Sequence, residues 1–173
     1  MTWRSLISFS ALLLSGAGLV LSAQVREDTV DAILQSVSRE GACTDARFKM
    51  VFATVEEVPV EYSGEIFYQQ GCYRVVGKDF SIFCNSDYIW TVDAVDGEVV
   101  RQDAMLISDI IPEGEIKADY TPDGSRITAI SIYAEKGTVE ITVPSMTFIP
   151  EKPESFYTLD VSSLPPNYVV TEL

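Results

Sequence analysis

The chain has 173 residues with 12 basic and 26 acidic side chains, so its formal net charge at pH 7 is −14. A chain this acidic repels phosphate groups, which argues against binding to nucleic acids and to anionic lipid headgroups. It contains no histidine, which excludes histidine-based acid–base catalysis, Ser-His or Cys-His nucleophile pairs and nearly all catalytic zinc sites.

The first 23 residues have the order of a secretory signal peptide. Arg4 is a basic start, Leu6–Leu21 is apolar apart from serines and glycines, and Ala23 is a small residue before a charged run. This apolar stretch falls short of the ~20 residues that a bilayer span needs. We therefore expect cleavage near Ala23, leaving one exported, soluble domain over residues 24–173 with 11 basic and 26 acidic side chains, a net charge of −15.

One segment has helical periodicity, and most of the rest has the pattern of short strands. Arg26–Glu40 repeats apolar residues at helical spacing and is followed by Gly41, which predicts a helix with one apolar stripe. Beyond it, β-rich runs separated by turn residues predict a meandering antiparallel sheet. The predicted strands are 48–55, 62–69, 72–76, 80–84, 88–93, 98–103, 115–120, 126–133, 138–143 and 145–149, with a short helix or loop at 107–113 and possible edge strands at 156–161 and 168–171.

Alternation within these strands predicts an apolar face. In the strand around Trp90, for example, Tyr88, Trp90 and Val92 form the apolar set. A twisted sheet of ~9–11 strands tends to curl, and a curled sheet either fills with its own side chains or encloses a ligand cavity. Because one helix is a thin cover for so large a face, we weigh a hydrophobic binding cavity against a dry core.

The three cysteines leave two arrangements open. Cys72 and Cys84 flank a short turn, so they are candidates for a disulfide across a hairpin, with Cys43 left over. The alternative is three free, buried thiols that behave as small apolar side chains.

The acidic residues near Trp90 are the best candidates for a catalytic or metal-binding site. Asp93, Asp96 and Glu98 lie around an Asp-Gly dipeptide, and Asp87 follows Asn85-Ser86. These are turn residues, and their spacing lacks the order of a calcium loop. We expect no catalytic residue, no metal site and no cofactor, with a carboxylate-pair enzyme as the weakest hypothesis.

Three segments resemble the periplasmic lipoprotein carrier family LolA, in particular its LolA-like members from Bacteroidetes. They are FKMVFATV (Phe48–Val55), GEIFYQQGCYRVV (Gly64–Val76) and FSIFCNSDYIW (Phe80–Trp90). The last places Trp90 after a turn as the family does, and FYTLDVSSLPPNYVVTEL is similar to the family's closing segment.

The resemblance implies a mainly β (α+β) fold, in which a curved antiparallel sheet forms an unclosed β-barrel with a helical lid over a hydrophobic cavity. It implies a periplasmic, monomeric carrier of acylated lipoproteins that works between an inner-membrane release complex and an outer-membrane acceptor. The residues expected to line the cavity are Phe48, Met50, Phe52, Ile66, Tyr68, Phe80, Ile82, Trp90, Val92, Ile130 and Ile132.

The resemblance also points to a gating position. Enterobacterial members have an arginine just before a proline at the end of the second strand, and it holds the lid closed. This chain departs from them, because Gln70 stands at the place of the arginine. Arg74 on the next strand is the other candidate, provided that it points inward. The alternative function is a periplasmic sensor or binding module for another lipid or apolar ligand on the same fold.

Overall fold

The computed structural model describes residues 20–54, 57–105 and 114–173, with side chains from residue 27 onward. Within these residues the chain forms one helix and ten strands. They are α1 Val20–Val37, β1 Ala42–Thr54, β2 Val60–Gln69, β3 Cys72–Gly77, β4 Phe80–Cys84, β5 Tyr88–Asp93, β6 Glu98–Asp103, β7 Glu115–Tyr120, β8 Ile127–Ala134, β9 Gly137–Pro150 and β10 Val169–Glu172. Two short 3-10 turns, Glu154–Tyr157 and Val161–Ser163, precede β10.

All ten strands belong to one sheet in the order β10-β6-β5-β4-β3-β2-β1-β9-β8-β7. Neighbouring strands are antiparallel except β10, which runs parallel to β6. The first and last strands of this order do not pair with each other, so the described sheet is not closed into a barrel. The predicted fold class, a mainly β chain with an unclosed antiparallel sheet and one helix, is confirmed.

One face of the sheet carries the helix, and we call it the helix face. Val30 and Ile33 of α1 pack with Ile116 of β7 and with Ile127 and Ile132 of β8 in one buried cluster. The predicted apolar stripe of the helix is therefore its contact with the sheet. At the other end of α1, the Thr44 hydroxyl donates a hydrogen bond to the carbonyl of Val37, which satisfies an acceptor that the helix leaves free.

The opposite face carries the C-terminal segment, residues 151–168, which we call the strap. Its Phe156 ring stands edge-on to Phe67 of β2 at a centroid distance of 5.2 Å. Further along, Leu159, Leu164 and Tyr168 pack around the buried Trp90. The strap therefore crosses from β9 to the far edge of the sheet, where β10 joins β6. We call this the strap face.

Several element boundaries differ from the predictions. The helix lies at Val20–Val37 rather than 26–40, and it spans the expected cleavage position at Ala23. The segment 138–149 is one strand with a bulge, not two strands. The edge strand predicted at 156–161 is wrong, because a 3-10 turn follows Pro153 there, whereas a short strand near 168–171 is confirmed. The prediction for 107–113 falls outside the described residues, and strands β3 to β7 match their predictions within one residue.

The three cysteines are free thiols. Cys72 lies opposite Gln69, and Cys84 lies opposite Tyr73, so the two cysteines project from opposite faces of the sheet. A disulfide between them would need side chains that face each other, so the disulfide alternative is wrong.

Candidate hydrophobic binding face

Nine of the eleven predicted cavity residues share the helix face. Directly opposed residues on neighbouring strands project to the same side of a sheet, and the register aligns Ile66 of β2 with Val75 of β3 and Ile82 of β4. It likewise aligns Met50 of β1 with Ile141 of β9, and Ile141 with Ile130 of β8. The nine are Phe48, Met50, Phe52, Ile66, Tyr68, Phe80, Ile82, Ile130 and Ile132.

Trp90 and Val92 do not belong with them. Trp90 lies opposite Phe83, and Val92 lies opposite Ser81, so both point to the strap face. There Trp90 is only 5% exposed, in a cluster with Val92 and Val99. The expectation that these two residues share a face with the other nine is wrong. Both faces of β4 and β5 carry buried apolar side chains, so alternation alone cannot tell the two faces apart.

The helix face has two buried regions with an apolar zone between them. The first region is the contact of α1 with β7 and β8, and the second is a cluster of Tyr73, Cys84 and Ile89 on β3, β4 and β5. Between these regions, β1 and β2 carry apolar side chains that are half-buried. We call this group the apolar floor; its members are Phe48, Met50, Phe52 and Ile66. Chemically it suits hydrocarbon, because each methylene that it removes from water contributes ~0.8 kcal/mol.

The register adds residues that the sequence analysis did not select. Val75 lies beside Ile66 and Ile82, and Val139 and Ile141 continue the floor toward β8. Their apolar spacing was visible in the sequence, but the pairing of β1 with both β2 and β9 was needed to place them at the floor.

The hydroxyl and thiol groups at the edge of the floor are neutral at ordinary pH. Burial is the main cause that raises the pKa of Tyr73, and the adjacent Cys84 thiol raises it further. Burial also raises the pKa of Cys84 and of Tyr62. These groups therefore add no charge to an apolar ligand surface.

Arg74 does not face the helix. It lies opposite Phe83 and Phe67 on the strap face, and its guanidinium carbon is 4.8 Å from the ring centroids of both Phe83 and Phe156. The hypothesis that Arg74 points inward and holds the lid closed is therefore wrong.

Gln70 lies at the β2–β3 turn with a φ of +50°. It borders a cavity of about 250 Å³ with Ser38, Arg39 and Glu40, just past the end of α1. Within the described part of the chain, no hydrogen bond joins the Gln70 side chain to the helix. Gln70 therefore lies beside the end of the helix, as expected for the gating position. Its side chain does not form the hydrogen bond to the helix that would hold a lid closed.

The acidic residues near Trp90 shape turns. The Asp93 carboxylate accepts hydrogen bonds from the backbone N–H groups of Val95 (2.8 Å) and Asp96 (3.0 Å). The Asn85 side-chain oxygen accepts from the N–H groups of Asp87 (2.9 Å) and Tyr88 (2.8 Å). These are the side-chain-to-backbone bonds of tight turns. Among the described residues, no group of three or more Asp, Glu and Cys side chains is placed to hold a metal ion.

The fold is similar to that of two solved structures. An uncharacterised conserved protein from Thermus thermophilus superimposes with a TM-score of 0.52 at 9% identity, over 86% of this chain and 99% of that one. A LolA superfamily protein from Nitrosomonas europaea superimposes with a TM-score of 0.51 at 8% identity, over 78% of this chain and 98% of that one. No protein-family model matches the chain, and no curated protein gives a significant match. None of the helices in the described ranges combines the length and the apolar character of a membrane span. The superposition on the LolA superfamily protein shows that the chain has a LolA-like fold.

Proposed function

We propose that this protein is a periplasmic carrier that binds the acyl chains of lipoproteins on its helix face and transfers them toward the outer membrane. The apolar floor carries the proposal: it is a group of half-buried apolar side chains, between two well-packed regions, on a sheet that is not closed. The LolA-like fold supports the same function.

The energetics of hydrocarbon burial suit a carrier. Each buried methylene contributes ~0.8 kcal/mol, so an acyl chain of roughly a dozen methylenes would gain about 10 kcal/mol before the cost of ordering is subtracted. The floor consists of branched and aromatic side chains and offers no charge-assisted hydrogen bonds. It would therefore bind an acyl chain only through the apolar surface that the two bury. Such a ligand can leave when a second apolar surface competes for it.

Binding can be tested with one charge placed on each face of β2. Ile66→Asp puts a carboxylate in the apolar floor, and we expect it to reduce the affinity for a fluorescent acyl probe at least tenfold, because a buried unpaired charge is costly. Ser63→Asp adds the same charge at an exposed position of the same strand on the strap face, and we expect no change. Equal loss in both variants, or no probe binding by the wild type, would overturn the proposal.

The cargo is tested in the native host. A photo-crosslinking residue at Ile66 should capture acylated lipoproteins, and denaturing extraction of the purified protein should release acyl chains detectable by mass spectrometry. If the extract contains another apolar ligand and no lipoprotein is captured, the protein is instead a binding or sensing module on this fold. We propose transfer partners at both membranes, an inner-membrane release complex and an outer-membrane acceptor, and a monomeric carrier between them.

A further inference from the structure

We infer that Phe80, seated on Gly77, sets the length of acyl chain that the helix face accepts. This inference rests on the proposed function and specifies it, because it names the residues that limit the ligand. Both residues border the short turn at Lys78-Asp79 that joins β3 to β4. The register aligns Gly77 with Gly64 of β2 and, through it, with Phe48 of the floor.

The Phe80 ring occupies a place that only a glycine leaves free. A Cβ atom at Gly77 would lie 2.2 Å from the nearest ring atom of Phe80, and two further ring atoms would lie within 2.7 Å. Gly77 is directly opposite Gly64 of β2, so two neighbouring positions on the helix face carry no side chain. The ring therefore leans over β3 instead of projecting from the sheet.

A second aromatic ring continues this feature across the sheet. Tyr62 of β2 stands edge-on to Phe80, with an interplanar angle of 89° and a centroid distance of 5.9 Å, a favourable aromatic geometry. Phe80 is 8% exposed, whereas Ile82, the next residue of β4 on this face, is only half-buried. The two rings thus form a packed wall over β2 to β4 beside Ile66 and Ile82. A ligand that lies along these two residues toward the β3–β4 turn meets this wall.

The wall predicts a break in the dependence of affinity on chain length. Straight-chain fatty acids from decanoate to octadecanoate compete with the fluorescent acyl probe, and each methylene that fits on the floor should strengthen binding by about fourfold. In the wild type, we expect this gain to stop at the length at which the chain reaches Phe80.

Two substitutions should move the break in opposite directions. Phe80→Ala removes the ring, so the gain should continue to longer acids. Gly77→Ala forces the ring away from Gly77, because the three atoms nearest the new Cβ all belong to the Phe80 ring, and the gain should stop at shorter acids. The double variant has no ring to displace and should match Phe80→Ala. Phe80→Leu, with a smaller loss of packing, provides the same test if Phe80→Ala folds poorly.

Phe83→Ala is the matched control, since Phe83 lies on the same strand but points to the strap face. Its break should stay at the wild-type length. A break that does not move in Phe80→Ala or Phe80→Leu, while acyl binding persists, overturns this inference and leaves the proposed function intact. A wild type that binds none of the acids overturns both.

Discussion

The strap face buries the cluster around Trp90 deep in the protein, whereas the floor of the helix face leaves its apolar side chains half-buried. Trp90, Val92 and Val99 beneath the strap are 5%, 8% and 0% exposed. Phe48 and Ile66 on the other side of the same sheet are partly exposed. The strap and the helix also differ in reach: the strap crosses to β6, whereas α1 packs mainly on β7 and β8 and contacts β1 through the Val37–Thr44 hydrogen bond.

This difference separates two tasks that an apolar sheet face can have. A face that is sealed by its own chain contributes packing energy and cannot admit a ligand without unfolding. A face with half-buried side chains contributes less to stability but retains area that a ligand can bury. We therefore expect substitutions on the strap face to lower stability and substitutions in the apolar floor to lower ligand affinity.

The largest expected effect is the loss of Trp90. Trp90→Ala should lower the free energy of unfolding by about 3–5 kcal/mol, the usual cost of deleting a buried tryptophan. Phe48→Ala, in the floor, should lower it by only about 1 kcal/mol because the ring is half-buried. Urea denaturation measures both values, and acyl-probe titration of the folded fraction should show weaker binding for Phe48→Ala alone. Equal stability costs, or a binding defect in Trp90→Ala, would break the distinction between the faces.

The next effect concerns the start of the strap. The Gln69 side-chain oxygen accepts a hydrogen bond from the N–H of Lys152 (2.8 Å) and from the Tyr157 hydroxyl (3.3 Å), while its amide nitrogen donates to the carbonyl of Lys152 (3.3 Å). Gln69→Ala removes the partner of both Lys152 backbone groups, whereas the Tyr157 hydroxyl keeps its hydrogen bond to the Cys43 thiol. The variant should lower stability by about 2 kcal/mol. A glutamate-specific protease should then cleave faster after the exposed Glu154 in the strap. Gln70→Ala, at the neighbouring exposed position, is the control and should leave the cleavage rate unchanged.

The strands between residues 72 and 103 could be predicted from sequence because tight turns mark their ends. The long strand β9 could not, because Pro144 suggests a break. In the structure the register between β1 and β9 shifts between Arg47 and Lys49, so Val143 and Pro144 together oppose a single residue of β1. A bulge tolerates a proline, which has no N–H to pair. The strand therefore continues through it.

The candidate site was predictable where one face of a strand is apolar and the other is polar. On β1 the alternation of Phe48 and Met50 with Arg47 and Lys49 selects the helix face. On β4 and β5 both faces carry apolar side chains, because the strap packs on one of them. The sequence pattern therefore cannot tell which apolar side chains lie on the helix face. Trp90 was misplaced for this reason, and only the register corrects it.

High pH should lower the free energy of unfolding, because each face of the sheet contains a buried tyrosine that loses its proton when the chain unfolds. Burial, with the Cys84 thiol nearby, raises the pKa of Tyr73 on the helix face, and burial, with the Cys43 thiol nearby, raises that of Tyr157 on the strap face. The folded state keeps these protons where the unfolded chain releases them, so their stabilising contribution is complete below pH ~10 and is lost as the pH rises.

Each tyrosine should contribute a loss of about 1.4 kcal/mol per pH unit above pH ~10. Urea denaturation over this range measures the slope. Tyr73→Phe and Tyr157→Phe should each make it shallower, and Tyr120→Phe, at an exposed position, should not. A slope that is the same in all three variants would show that neither buried hydroxyl keeps its proton in the folded state.

The smallest expected effect decides whether Arg74 serves the strap or the ligand. Its guanidinium lies between the rings of Phe83 and Phe156, and its buried Nε has no hydrogen-bond partner in the described part of the chain. Stacking, which a lysine reproduces poorly, is therefore the main contact of this cation. Arg74→Lys should lower the free energy of unfolding by about 1 kcal/mol.

The rate at which the acyl probe dissociates should be unchanged in Arg74→Lys, because the side chain lies across the sheet from the floor. Arg47→Lys is the control for the chemical change itself: Arg47 pairs with Glu65 at 3.3 Å, but its side chain is 70% exposed, so its stability should stay within error of the wild type. Faster probe release with unchanged stability would assign Arg74 to the ligand side. Because Arg74 lies across the sheet from the floor, that result would also mean that the strap face and the helix face are coupled through the sheet.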